Sequence, residues 1–187
     1  MQMMRFKTAA EFRRWLGKNC SSSEGVWLRI YKKDSGEKSV TYAEALDQAL
    51  CHGWIDGQTK PYDERSWLRK FTPRRSRSGW SKINTQHVER LIESGAMTAA
   101  GVKAVEAAKA DGRWKAAYSS PKNAVVAEDF MKELVKNKKA GAFFKTLNKA
   151  NVYSIVYRLQ TAKKPETRAK RMKTILAMME QGKAFHP

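Results

Sequence analysis

The chain has 187 residues, of which 42% are hydrophobic, so it is long and apolar enough for one globular domain or one and a half, and it is not a disordered protein. Its 37 basic and 18 acidic residues give a net charge of +19, which favours anionic partners such as nucleic acid or phosphorylated metabolites, although solubility alone is the simpler explanation. No apolar run approaches the ~20 residues of a membrane span, and we expect a cytoplasmic protein that is not membrane-spanning.

The first 40 residues predict a helix followed by a strand. Thr8 and Glu11 have the spacing of a capping box, so a helix is expected over residues 9–18. The string VWLRIYKK then alternates, with Val26, Leu28 and Ile30 on one side and aromatic or cationic residues on the other. This strand therefore has one aliphatic face and one aromatic, cationic face. Cys20, which lies between the two elements, and Cys51 have no metal-binding spacing and are expected to be free buried thiols.

A second helix and two more strands follow. Thr41 and Glu44 form another capping-box pair, and Gly53 is suited to end the helix in a left-handed conformation. The strings GWIDGQ and SWLRKF predict strands, and the turn-rich KPYDER lies between them. With VWLRIYKK they predict a small antiparallel sheet of about three strands.

The rest of the chain is predicted to be helical. Residues 73–79 form a loop, because Pro73 and Gly79 interrupt the pattern, and a helix begins near Asn84. Pro121, flanked by serine and asparagine, marks the best internal boundary. We therefore expect an α+β protein, with an N-terminal domain over residues 1–120 and an all-helical C-terminal module over residues 121–187.

The candidate binding site lies in the central part of the chain. Residues 65–82 contain seven basic residues and no acidic residue, interleaved with tryptophan and phenylalanine. Arginine forks, serine hydroxyls and the N–H groups of a helix beginning near Lys82 are groups that hold phosphate or carboxylate. The predicted ligand-binding residues are Trp54, Asp56, Trp67, Arg69, Arg74, Arg75, Arg77, Ser78, Trp80, Ser81, Lys82 and Asn84. The alternative is that Arg74 and Arg75 pair with Asp56, Asp63 or Glu64 while the tryptophans are core residues.

A catalytic role is the weaker interpretation of this region. Asp56 beside aromatic surface is a candidate acid or base, with His52 as its partner. An ion pair of Asp56 with Arg69 or Arg74 is favoured instead, and a histidine at a helix end usually contacts the last carbonyl groups. His87 and His186 are not brought together by any pattern, so no metal site, cofactor or serine–histidine–aspartate triad is predicted.

The string KKPETRAKRMKTILAMM predicts a basic amphipathic helix. Its cations oppose an apolar stripe of Met172, Leu176 and Met179, a composition shared with helices that bind membranes or nucleic acid. The stripe is only as wide as a core-facing helix requires, so a solvated face of a packed helix is favoured.

Two groups of residues resemble the YdeI/OmpD-associated family of bacterial proteins, also called bacteriocin-protection proteins. The first includes WLGKN, VWLRIYKKDSG, ALCHGWIDG, FTPRRSRSGWSKIN, ERLIESGAMTAAG and AKADGRW; the second runs from about residue 127 to residue 182 and ends in AKKPETRAKRMKTILAMMEQGK. His52 departs from the aromatic residue expected in the ALCHGWIDG string. The resemblance implies a link to antimicrobial-peptide or envelope-stress resistance and a protein partner such as a porin, and it implies no activity or cofactor.

We therefore expect a non-catalytic protein that binds an anion, either a phosphate-containing ligand or nucleic acid. The two alternatives are a small-molecule enzyme with a pocket around Asp56, and an adaptor that binds another protein. Direct trapping of cationic peptides is the least favoured mechanism, because a protein of charge +19 repels them at long range.

Overall fold

The computed structural model describes residues 1–187, apart from the side chain of Lys122. The chain forms two compact units, one comprising Met1–Trp80 and Asn84–Lys115 and the other comprising Ser81–Ile83 and Ala116–Pro187. The predicted division at residue 120 stays a prediction.

The described elements are the following. The strands are β1 (Met3–Met4), β2 (Val26–Tyr31), β3 (Trp54–Asp63) and β4 (Ser66–Pro73). The helices are α1 (Ala9–Asn19), α2 (Tyr42–Cys51), α3 (Lys82–Glu93), α4 (Ala99–Ala110), α5 (Glu128–Lys136), α6 (Lys138–Phe144), α7 (Lys149–Gln160) and α8 (Pro165–Glu180). The predicted fold class, α+β with a helical C-terminal region, is confirmed.

Local capping chemistry sets the ends of the first helices. Thr41 and Glu44 form a complete capping box at the start of α2. Thr8 caps α1 by accepting a hydrogen bond from the Glu11 N–H, but the Glu11 carboxylate accepts from the Lys7 N–H, so that box is only half formed. Gly53 follows α2 with a φ of 73°, a conformation that other residues adopt only at a cost.

The sheet has the strand order β1-β2-β4-β3. Strands β2, β4 and β3 are antiparallel, as predicted, and the short β1 pairs with β2 in parallel, so the sheet is mixed. The prediction that KPYDER is a turn was wrong, because β3 continues to Asp63 and only residues 64–65 turn. Pro61 is compatible with this longer strand because β3 lies at the sheet edge, where a missing N–H costs no ladder hydrogen bond.

Pairing between β2 and β4 determines which residues face the helices. Leu28 is paired with Arg69 and Ile30 with Trp67, and directly paired residues in antiparallel strands point to the same face. Trp67, Arg69 and Phe71 therefore lie on the face that packs against α1 and α2. Trp27, Arg29 and Tyr31 lie on the opposite face, so the two runs with the same aromatic–arginine–aromatic order do not form one surface. The helix-facing side contains the core residues Phe12, Leu16, Val26, Leu28, Ile30, Ala45, Ala49, Trp54 and Phe71.

The second unit has a separate core. Its buried residues are Phe130, Leu134, Ala140, Ile155, Leu159, Ile175 and Met179. Helix α8 contributes Ile175 and Met179, while Arg168 pairs with Asp129 of α5 and Arg171 donates to the Arg158 carbonyl. These contacts are those of a packed helix with a solvated basic face, the favoured interpretation. None of the described helices is both long enough and apolar enough to cross a membrane.

Candidate anion-binding site

The loop after β4 positions the first group of basic residues. The Arg74 backbone N–H donates to the Gly53 carbonyl at 3.0 Å, which ties the end of β4 to the start of β3. The Arg75 N–H donates to the Ser78 Oγ at 3.0 Å, and the Ser78 N–H donates to the Arg75 carbonyl at 2.9 Å. These two bonds close a tight turn and fix the backbone of Arg75. The predicted loop over residues 73–79 is confirmed except that Pro73 is the last residue of β4.

Arg74 is stacked on aromatic surface. Its Cζ lies 3.4 Å from the centroid of the Trp80 ring, and its Nη1 donates to the Gly79 carbonyl at 3.1 Å. The Trp80 ring is 2% exposed and lies 4.9 Å from the Trp114 ring. A guanidinium keeps its charge when it stacks in this way, and the cation–π contact offsets part of the cost of burying it. Trp80 is thus a support for Arg74 rather than an open stacking platform.

Arg113 is the second positioned cation. It is 8% exposed, its Nε donates to both Asp111 carboxylate oxygens at 2.8 and 2.6 Å, and its Nη1 donates to the Ser78 carbonyl at 3.0 Å. Asp111 offsets part of the Arg113 charge through its contact with the Arg113 Nε, and the Asp111 carboxylate is half exposed. Arg113 therefore links the turn that holds Arg75 to the chain that follows α4.

Arg74, Arg75 and Arg113 line a cleft of about 240 Å³. Its basic side chains are Arg74, Arg75, Lys103 and Arg113, and the remaining wall includes His52, Trp54 and three alanines of α4. No aspartate or glutamate is among the described residues that line it. We call this set the cationic cleft. Its volume lies below the ~300–1,000 Å³ of pockets for drug-sized ligands, so it suits a small anion or the charged end of a larger molecule.

Close packing of α2 and α4 forms the cleft wall. The Thr98 N–H and Oγ1 both donate to the Cys51 carbonyl, at 3.0 and 2.7 Å. Because Gly101 has no side chain, the first turn of α4 can approach the same carbonyl. A Cβ at this position would lie 2.2 Å from the Cys51 oxygen. The distance between the two helices, and hence the width of the cleft, depends on this contact.

His52 lines the cleft as a neutral side chain. Its Nδ1 lies 2.8 Å from the Gln48 carbonyl, and because a carbonyl only accepts, Nδ1 carries the proton. Burial lowers the pKa of His52 below its ordinary value, with the nearby Arg13 charge acting in the same direction. The expected contact with a carbonyl at the helix end is present. His52 adds no positive charge to the cleft near neutral pH.

Asp56 belongs to a different cluster. Its Oδ2 accepts hydrogen bonds from the Tyr42 hydroxyl, at 2.8 Å, and from the Arg69 guanidinium. Burial and the hydrogen bond to Asp56 raise the pKa of Tyr42 to about 12, so the phenol stays a donor. Asp56 lines none of the described cavities. This geometry supports the ion-pair interpretation and gives no support to a catalytic Asp56–His52 pair, because His52 faces another site.

The structure brings together only part of the predicted site. Trp54, Arg74 and Arg75 line the cationic cleft, and Ser78 and Trp80 support it. Asp56, Trp67 and Arg69 lie with Tyr42 on the helix-facing side of the sheet, while Arg77 is exposed and Asn84 is in α3; none of these lines the cleft.

At the start of α3, the backbone N–H of Lys82 already has a partner within the protein. The Lys82 backbone N–H donates to the Tyr118 carbonyl at 2.9 Å, and Ser81 forms an isolated β-bridge with Tyr118. Ser81 and Lys82 are part of the second unit. The prediction that the first N–H groups of this helix are unused was therefore wrong for Lys82.

Sequence reasoning missed Lys103 and Arg113. Lys103 is one of several lysines on an alanine-rich helix, and nothing in the local pattern distinguishes it. Arg113 carried a usable signal, because it stands between a helix-ending glycine and a tryptophan in the string DGRW.

Comparisons with known proteins identify two regions of the chain. Residues 4–104 match the model of a domain of unknown function (DUF8412), and residues 123–182 match the bacteriocin-protection, YdeI or OmpD-associated family (OmdA). Neither the curated proteins nor the solved structures include a match. The resemblance to the YdeI/OmpD-associated family is confirmed by the second region. The chain therefore belongs to the DUF8412 family and carries a bacteriocin-protection, YdeI or OmpD-associated domain at its C-terminal end.

Proposed function

We propose that this protein is a non-catalytic anion-binding protein whose ligand carries a phosphate group. The observation that supports this proposal is the cationic cleft, where four basic side chains meet and the described lining has no carboxylate. Asp111 offsets part of the Arg113 charge from outside the described lining, and Asp56 contacts Arg69 and Tyr42 instead of the cleft arginines.

Phosphate is favoured over a larger apolar ligand for two reasons. The cleft of about 240 Å³ is small, and all four of its basic side chains are hydrogen-bond donors. The positions of Arg74 and Arg113 are held by the Trp80 ring and by the Ser78 carbonyl, so little side-chain freedom is lost on binding. A pre-organised set of guanidinium donors matches the geometry of phosphate oxygens.

The test is calorimetric titration with inorganic phosphate and pyrophosphate at physiological salt. The informative variant is Arg75→Gln combined with Lys103→Gln, because both side chains are exposed and their loss leaves the core intact. We expect affinity to fall by about tenfold or more, the usual effect of losing charge-assisted hydrogen bonds.

Arg77→Gln is the matched control. It removes one positive charge from the exposed loop that carries Arg75, without touching the cleft. If Arg77→Gln weakened binding as much per charge removed as the double variant, only overall charge would attract the ligand. Absence of any binding to the wild type would refute the proposal.

The link to bacteriocin protection comes from the name of the C-terminal family, and we propose it as a cellular role. An anion-binding protein with charge +19 does not act by trapping cationic peptides, so protection would be indirect, through an anionic ligand inside the cell. A cytoplasmic location is part of this proposal.

The name of the C-terminal family also suggests a protein partner. Helix α5 exposes Met131 and Val135, one turn apart, at 42% and 80%. Two exposed apolar side chains are ordinary on a protein surface and do not by themselves form a docking patch. The adaptor role therefore stays a prediction, which co-purification with the intact chain would test.

A further inference from the structure

The face of the sheet opposite α1 and α2 carries a cluster of aromatic and basic side chains. Trp27 is paired with Lys70, and Lys60 and Arg29 both flank Leu68 from the neighbouring strands. Directly paired residues share a face, so these side chains belong to one surface. We call the set Trp27, Arg29, Tyr31, Lys60, Tyr62 and Lys70 the open face.

An irregularity in β3 places two members of this set. Asp56 is paired with Phe71 but Thr59 with Arg69, so β3 has one extra residue between these pairs. Such a bulge reverses the alternation of side chains along the strand. Lys60 and Tyr62 consequently lie on the open face instead of the helix-facing side that Trp54 and Asp56 occupy.

On the open face, basic side chains lie next to aromatic rings. The Lys60 Nζ lies 4.4 Å from the Trp27 ring centroid, and the Lys70 Nζ lies 6.0 Å from it. The Arg29 Cζ lies 4.6 Å from the Tyr31 ring and 4.7 Å from the Tyr62 ring. The surface is accessible, because Tyr62 is 48% exposed and none of the six side chains is buried.

We propose that the open face binds single-stranded nucleic acid, with bases stacked on Trp27 and Tyr62 and phosphates held by Lys60 and Lys70. Trp27 is on β2 and Tyr62 is on β3, and β4 lies between these strands. Neighbouring strands lie about 4.8 Å apart, so the two rings can stack on separate, non-adjacent bases of one single strand that crosses the sheet. The three cations outnumber Asp63, the carboxylate that contacts Arg29 at 2.6 Å. The charge of the face is thus complementary to a phosphate backbone.

A single strand fits this surface better than a duplex or a membrane. Duplex bases are already stacked on each other and do not present their faces, whereas single-stranded bases do. A lipid surface would require an apolar face, but the central aliphatic residue here, Leu68, is buried at 4% exposure beneath the basic side chains. Base stacking on an aromatic ring is also stronger than an exposed cation–π contact, so a base can displace the lysine that covers Trp27.

The experiment measures fluorescence anisotropy of a labelled oligothymidine about 15 nucleotides long, within the usual site size for such surfaces. Wild type is compared with Tyr62→Ala and with Trp27→Leu, which remove a ring without changing charge. Each is expected to weaken binding about fivefold or more. Tyr62 is half exposed, so its removal does not threaten folding, and the thermal unfolding of both variants is measured alongside.

Salt dependence and two controls separate stacking from general attraction. Between about 50 and 200 mM salt, affinity for the single strand should fall steeply, and Lys60→Gln with Lys70→Gln should make that fall less steep. Lys173→Gln on α8 is the charge control, and the Arg75→Gln, Lys103→Gln variant should keep wild-type affinity for the oligonucleotide, because the cleft is a separate site. The proposal would be overturned if Tyr62→Ala and Trp27→Leu bound the oligonucleotide as tightly as the wild type. Equal affinity for a duplex of the same length would also overturn it.

Discussion

Replacing Gly101 with alanine introduces a methyl group that collides with the C-terminal carbonyl of α2. The new Cβ would lie 2.2 Å from the Cys51 oxygen and 2.8 Å from the Met97 Cε, whereas ordinary contacts begin near 3.4 Å. The Met97 side chain can move, but a backbone carbonyl in a helix cannot do so alone. Helix α4 must therefore shift away from α2 by about 1 Å.

Two effects set the size of the destabilisation. Overpacking of this kind costs about 1–3 kcal/mol. The shift also stretches the two hydrogen bonds from Thr98 to the Cys51 carbonyl, each of which contributes about 0.5–1.5 kcal/mol net. We therefore expect Gly101→Ala to lower the free energy of unfolding by about 2–6 kcal/mol, a large part of the stability of an ordinary domain.

The assay is urea unfolding followed by tryptophan fluorescence, with Gly17→Ala as the control. Gly17 lies inside α1, and a Cβ there meets nothing within 4 Å, so alanine should stabilise the protein by about 0.4–1 kcal/mol. The same chemical change thus has opposite signs at two helical positions. A Gly101→Ala protein as stable as the wild type would show that α2 and α4 do not meet as described. A folded variant should also bind phosphate more weakly, because the cleft widens.

Two pH dependences follow from the shifted pKa values. The pKa of Tyr42 is raised from 10.0 to about 12, so the unfolded chain loses this proton first, and wild-type stability should fall as the pH rises above about 10. Tyr42→Phe should lack this decline in unfolding experiments at about pH 9 and 11, and an equal decline in both proteins would contradict the Asp56 contact. The pKa of His52 lies below 6.5, so its contribution is complete above that pH and is lost as the pH falls through the lowered value. His52→Gln should reduce the loss of thermal stability between about pH 7.5 and 5.5, and identical melting curves for the two proteins would argue against a buried neutral imidazole.

The ends of the first helices and the side-chain alternation of the strands were predictable from the sequence, because the interactions that set them are local. Thr41, Glu44 and Gly53 lie within one short segment, and their hydrogen bonds and φ preference act there whatever the rest of the chain does. The alternation of Val26, Leu28 and Ile30 was predictable for the same reason, because it requires only that one face of the sheet is buried.

The candidate site was predictable only in the part that is contiguous in sequence. Arg74 and Arg75 were found because they adjoin a loop rich in serine and glycine. Lys103 lies on α4, which approaches α2 through the contact between Gly101 and the Cys51 carbonyl, and Arg113 follows α4 and is held by the Ser78 carbonyl. No local pattern encodes a distance between two helices.

What the sequence determined by itself is therefore the set of elements, the excess of positive charge and one half of the cationic cleft. The tertiary structure decided which side chains share a surface. Register between β2 and β4 separated Arg69 from Arg29, and one extra residue after Asp56 moved Lys60 and Tyr62 beside Trp27 and Arg29. The physical reason is that side chains alternate with a period of two along a strand, so one extra residue reverses the faces of the side chains that follow it, up to the next irregularity, which in β3 lies between Pro61 and Asp63.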